Sequence, residues 1–117
     1  MTMPPDPEPK AKGLPGAQAA KVTELVSYQD GAIVSRELVN KPTGSVTVFA
    51  FDEGQSLSEH TAPFNVLVQV LEGEAVITIS SKHYHLERGG LILVPTNEPH
   101  ALKAIKRFKM LLTMIRS

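Results

Sequence analysis

An all-β barrel or sandwich is the fold this sequence predicts, and three observations predict it. Short apolar runs recur along the chain about every 8–12 residues, each bounded by Gly, Pro, Asn or Asp. Within the best of these runs the apolar residues alternate with the rest, the period of a strand rather than of a helix. No stretch is both long enough and one-sided enough to make an amphipathic helix that would anchor another fold class.

The elements follow in order. Residues 1–16 hold Pro4, Pro5, Pro7, Pro9 and Pro15 with Gly13 and Gly16. Proline removes backbone donors and fixes φ, so a disordered tail is expected there. A Pro-rich ligand segment is the other reading, but the prolines alternate with acids and lack an aromatic anchor. From 17 to 117 the chain reads as one domain. Ala17–Glu24 is expected to form a short helix. Ala32–Val34 and Leu38–Val39 are strand pieces flanked by Asp30-Gly31 and Asn40-Lys41-Pro42. Ser45–Phe51 alternates, with Val46, Val48 and Ala50 on one face and Thr47, Phe49 and Phe51 on the other. Phe64–Leu71 is β-branched and apolar. Glu72-Gly73 reads as a tight turn, with Ala75–Ile79 as the returning strand. His83–Leu86, Leu91–Val94, Pro99–Ala104 and Phe108–Ile115 complete the set. The last stretch, residues 101–116, could be drawn as a basic amphipathic helix. Its apolar residues would then cover most of the wheel, whereas a strand puts Phe108, Met110, Leu112 and Met114 on one face. A strand is the expectation.

Composition narrows the function. The chain has 117 residues, 12 basic and 12 acidic side chains, and no cysteine. Without cysteine there is no disulfide scaffold, thiolate metal site or thiol nucleophile. A balanced charge gives no general pull toward nucleic acid or anionic lipid, so neither partner is expected. No apolar run approaches the roughly 18 residues of a membrane span. The N-terminus carries acids and prolines where a secretory signal would be basic and apolar. A cytoplasmic protein is expected. The balance hides an asymmetry: residues 22–100 hold ten acids against four bases, whereas Lys103, Lys106, Arg107, Lys109 and Arg116 close the chain with no acid among them. The acids Glu72, Glu74 and Glu87 are the expected counterparts, within the domain or across a dimer.

Four histidines are candidates for chemistry. His83 and His85 share one strand face, a spacing that can chelate a metal. Tyr84 and Leu86 are the natural core residues of that strand, which turns the two histidines outward to solvent. His60 and His100 each stand next to a turn-rich stretch, Gly54–Glu59 and Pro95–Pro99, at the approach to an apolar strand. In a barrel such positions lie near one mouth, where two imidazoles from separate strands can meet around a metal or a ligand.

Two spacings carry a resemblance. Gly54 is followed after five residues by His60, and Gly73 closes that stretch; Gly89, Pro95 and His100 repeat a second pattern, with fifteen residues between Gly73 and Gly89. The sequence resembles a small single-domain cupin of the germin-like, RmlC-like superfamily over about residues 30–115. The resemblance implies a conserved β-barrel of jelly-roll type (a double-stranded β-helix). It implies a homodimer, often with an N-terminal strand exchanged between subunits, a role residues 22–39 could take. It also implies a divalent transition metal (zinc, nickel, manganese or iron) bound by two histidines and a glutamate of the first motif and a histidine of the second. This chain matches with His60 and His100. It has Ala62 at the second histidine, Val66 at the glutamate, Asn97 at a glycine and Ala104 at the closing asparagine. Half of the ligand set is gone, and iron and manganese ordinarily want the carboxylate. Asn65 could fill the gap only if Pro63 forced a bulge that shifted the register. Ala62, Phe64, Val66, Val68, Met110 and Leu112 are the expected pocket lining, suited to a small, partly hydrophobic molecule. No acid–base constellation is visible, so no catalytic residue is named. The expectation is a small cupin that binds a divalent metal, a small molecule, or both in its barrel. The alternative is a metal-free binding or structural cupin with a degenerate site.

Overall fold

The structure is a computed structural model that describes residues 13–116. Most of the expected Pro-rich tail, residues 1–12, lies outside the described residues. Among the described residues nine strands make two sheets: β1 Ile33–Lys41, β2 Gly44–Phe51, β3 Ser56–His60, β4 Asn65–Glu72, β5 Glu74–Ile79, β6 Lys82–Glu87, β7 Leu91–Val94, β8 His100–Ala104 and β9 Phe108–Ile115. One sheet has the order β1-β2-β9-β4-β7 and the other β3-β8-β5-β6. All pairings are antiparallel. This is the all-β barrel the alternation predicts, of the jelly-roll type the resemblance implies.

Alternation decides what is inside. Phe51, Val66, Val68, Val70, Ala75, Ile77, Val94, Leu102, Ala104, Phe108 and Met110 point between the sheets and form one core. Phe51 and Phe108 stack at its centre, ring centroids 4.6 Å apart. The C-terminal segment is a strand, and it runs in the middle of its sheet between β2 and β4. That position explains why it is apolar on both faces: Met110 is inside, while Leu111 packs against a second cluster outside.

The second cluster explains the N-terminal segment. Val48 and Ala50 face out of the first sheet yet are fully buried. Val22, Leu25, Val26 and Tyr28 cover them. The segment docks on its own chain. Gly13 and Leu14 donate to the carbonyls of Glu37 and Leu38 along the β1 edge, at 3.2 and 2.9 Å. The expected helix over Ala17–Glu24 shrinks to a single 3-10 turn, Val22–Glu24, with no side-chain cap. Tertiary contact overrides weak local propensity here.

Two other expectations change. Ser56–His60 is a strand, although only Leu57 among its residues is apolar. And Glu72-Gly73-Glu74 is no hairpin: β4 belongs to one sheet and β5 to the other. The chain crosses the barrel at Gly73, whose φ of +83° makes the corner.

The candidate site at the barrel mouth

His60 ends β3 and His100 begins β8, and the two are direct cross-strand partners. A local irregularity brings them together. Leu57 pairs with Leu102, so β3 spends three residues where β8 spends two. The extra residue is a β-bulge. Plain alternation from Leu57 would turn Glu59 inward and His60 out; the bulge reverses this. The imidazole centroids lie 4.3 Å apart with the rings tilted by 58°.

Each ring is oriented in the same way. His60 Nδ1 lies 2.8 Å from the Ser58 carbonyl, and His100 Nδ1 lies 2.8 Å from the Glu98 carbonyl. A carbonyl only accepts, so both Nδ1 atoms carry the proton and donate. In the neutral form of each ring, Nε2 then keeps a free lone pair. This is the arrangement by which a backbone carbonyl prepares histidine for a metal or for a ligand donor. Sequence reasoning misses these carbonyls. A signal exists, since each sits two residues before its histidine in a turn-rich approach.

The loops behind the pair are tied together. Asn97 takes the left-handed φ of +66° at the position of the motif glycine, and its N–H donates to the Ala62 carbonyl at 2.8 Å. Asn65 does not enter the pocket. Its side-chain oxygen accepts from the Thr96 N–H and hydroxyl, both at 3.2 Å, and Val66 keeps the inward place. Ser80 donates its hydroxyl to Glu98 and its N–H to the Pro99 carbonyl.

The expected lining residues divide by depth. Val66 and Val68 are closed in the core, whereas Met110 pairs with Val70 toward the Gly73 corner, at the end of the barrel away from the two histidines. Ala62 and Leu112 are partly buried against that core, with Ile92 and Met114 beside them. Phe64 sits at the rim under the Arg116 guanidinium, 4.9 Å from its ring centroid. His83 and His85 do face outward, and each is engaged alone: His83 with the Thr78 hydroxyl and His85 with Glu74, both at 2.8 Å. Glu74, His85 and Glu87 lie close enough to share an ion. Lys106 already neutralises Glu74 at 3.0 Å, and with His85 holds its carboxyl below the usual range.

Comparison with known proteins now adds to this geometry. The model of the AraC-like ligand binding domain matches residues 42–115. The chain belongs to that family. Its barrel is that of a small cupin domain. A conserved protein of unknown function from Streptococcus pyogenes is similar to this AraC-like domain at 31% identity, with 96% of this chain and 98% of that one covered and a TM-score of 0.86. A cupin superfamily protein from Desulfitobacterium hafniense is 28% identical over 93% of this chain and 100% of the other, at a TM-score of 0.84. A salicylate 1,2-dioxygenase from Pseudaminobacter salicylatoxidans shares the fold at 20% identity and a TM-score of 0.68. The match covers 73% of this AraC-like domain and 26% of the dioxygenase chain. No curated protein matches.

Proposed function

We propose that this AraC-like domain binds a small molecule at its barrel mouth through His60 and His100, which would also hold a divalent transition metal. The observation that carries the reading is a pair of imidazoles with centroids 4.3 Å apart, each with its Nδ1 turned to a backbone carbonyl and its Nε2 left without a protein partner among the described residues. Imidazole suits zinc and nickel, and the absent carboxylate at Val66 tells against iron and manganese. Two protein donors leave the remaining positions to water or to the ligand. A metal there would supply a Lewis-acidic contact for a ligand oxygen. Purified protein is expected to retain nickel or zinc near one per chain, and His60→Ala and His100→Ala to lose it. Metal analysis that finds none in wild type after reconstitution with either ion overturns this part.

A second reading keeps the ligand and drops the metal. Ala62 and Val66 favour it, because they replace two donors with apolar surface. Under it, chelator-treated protein binds a small molecule as well as untreated protein does. The same proposal takes the chain to be a homodimer and to act in the cytoplasm. Among the described residues no helix is long and apolar enough to cross a membrane.

A further inference from the structure

We infer that the barrel mouth selects a small organic anion, with Lys82 as the residue that recognises its carboxylate. The inference rests on the ligand-binding reading above and adds the ligand's charge. It comes from the register. His60 pairs with His100, His100 with Ile79, and Ile79 with Lys82. These four residues therefore form one row across the second sheet, all on the face that looks into the barrel. The parity of β6 agrees, for Tyr84 and Leu86 pack against the core. The ammonium follows the same direction: Lys82 Nζ turns back over the Tyr84 ring, 5.5 Å from its centroid.

Three features make this more than a solvated lysine. Among the described residues no carboxylate pairs with Lys82, whereas Lys106, Arg107 and Lys109 all have acidic partners. Glu98, on the same rim, accepts from the Ser80 hydroxyl, and no ion pair joins it to Lys82 among the described residues. And the hairpin that presents Lys82 is fixed to the loop that presents His100. Ser80 and Ser81 both have positive φ, +48° and +71°, the two-residue turn of a tight hairpin, and Ser80 bonds to Pro99 and Glu98. Cation and imidazoles thus sit on one braced rim. Strands lie ~4.8 Å apart, so the backbone of Lys82 is about 10 Å from that of His100. A short acid with an apolar body spans this gap. Its carboxylate meets Lys82, its body lies over Ile79 and Tyr84, and its other end reaches the Nε2 atoms.

The test uses the full chain and probes of matched shape, one charged and one neutral: benzoate against benzamide, and butyrate against butyramide. Binding is read by chemical shifts of the His60 and His100 backbone amides. At least one acid is expected to bind about threefold to fivefold more tightly than its amide, the size an ion pair with an exposed lysine allows. Lys82→Gln should remove the preference, so that acid and amide bind about equally, while Lys82→Arg keeps it. Amides that bind as well as acids in wild type, or an acid preference that survives Lys82→Gln, overturn the role of Lys82 and leave the mouth as a ligand site. If neither member of either pair shifts the histidine amides, the inference falls together with the reading it rests on.

Discussion

At the scale of single residues, a hydrogen-bond partner decides what each titratable group does. Asp52 is an example away from the mouth. It accepts from Arg107 Nε at 2.8 Å and from the Gly31 N–H at 2.6 Å, and Arg107 also reaches Asp30. The Arg107 bond comes first among the causes that lower the Asp52 pKa from 3.8 to about 2. A carboxyl with a depressed folded pKa stabilises the fold above its unfolded pKa and loses that effect as pH falls through the folded one. Asp52→Asn should therefore lower the melting temperature by a constant amount above about pH 4, with the gap to wild type closing between about pH 4 and pH 2. A gap that stays open at the acid end would mean the side chain acts by shape rather than charge. This pairing also revises the charge asymmetry of the sequence. Arg107 goes to Asp30 and Asp52, which spacing does not suggest, while Lys106 and Lys109 find Glu74 and Glu72 within the same chain. At the mouth, His60 and His100 are legible because turn-flanked histidines stand out. Lys82 is not. Its meaning depends on cross-strand register, which a single strand's sequence does not state.

At the scale of elements, the strands are legible wherever one face is apolar, and the errors lie where that signal is weak. β3 has one apolar residue and a bulge, so no alternation announces it. The corner at Gly73 reads as a hairpin because a glycine between two strands looks the same in either case. Only the pairing of β4 with β7 and β9, and of β5 with β6 and β8, tells them apart. The corner makes its own prediction. A Cβ on Gly73 would run into the Arg107 carbonyl and come 2.6 Å from Phe108 Cα, at a φ of +83°. Both obstacles are backbone, at the start of a strand whose first side chain is fully buried, with no room to yield. Gly73→Ala should cost about 4 kcal/mol or more, among the largest effects a single substitution has. Gly54 also has positive φ, +84°, but nothing lies within 4 Å of an added Cβ. Gly54→Ala should cost only about 1 kcal/mol, the conformational part alone. Denaturant unfolding of the two variants separates steric clash from backbone strain; equal losses would show that the corner has freedom to open.

At the scale of the molecule, the first sheet has an outer face in two halves. The N-terminal segment covers β1 and β2, where Val48 and Ala50 are buried beneath it. The other half, over β4, β7 and the end of β9, has no cover among the described residues. Leu91, Leu93 and Ile115 are 57%, 54% and 55% exposed, and Leu67 lies between them in register. Positions 65–71, 91–93 and 111–115 on that face carry no charge. An antiparallel sheet with one free face normally makes it polar, and a contiguous apolar patch of this kind marks an interface. A second copy of the chain suits it, because a two-fold contact sets the face against itself and an uncharged face meets no repulsion there. The patch also continues the second cluster through Leu71 and Leu111, so a partner would extend a core already half built. Light scattering at micromolar concentration should give a dimer. Leu93→Lys, which buries a charge at the centre of that contact, should raise the dissociation constant at least about tenfold. Its side chain faces solvent in the single chain, so the monomer's own fold should be nearly as stable as before. A wild-type monomer, or a dimer indifferent to a combined Leu91→Lys and Leu93→Lys change, would place the contact elsewhere.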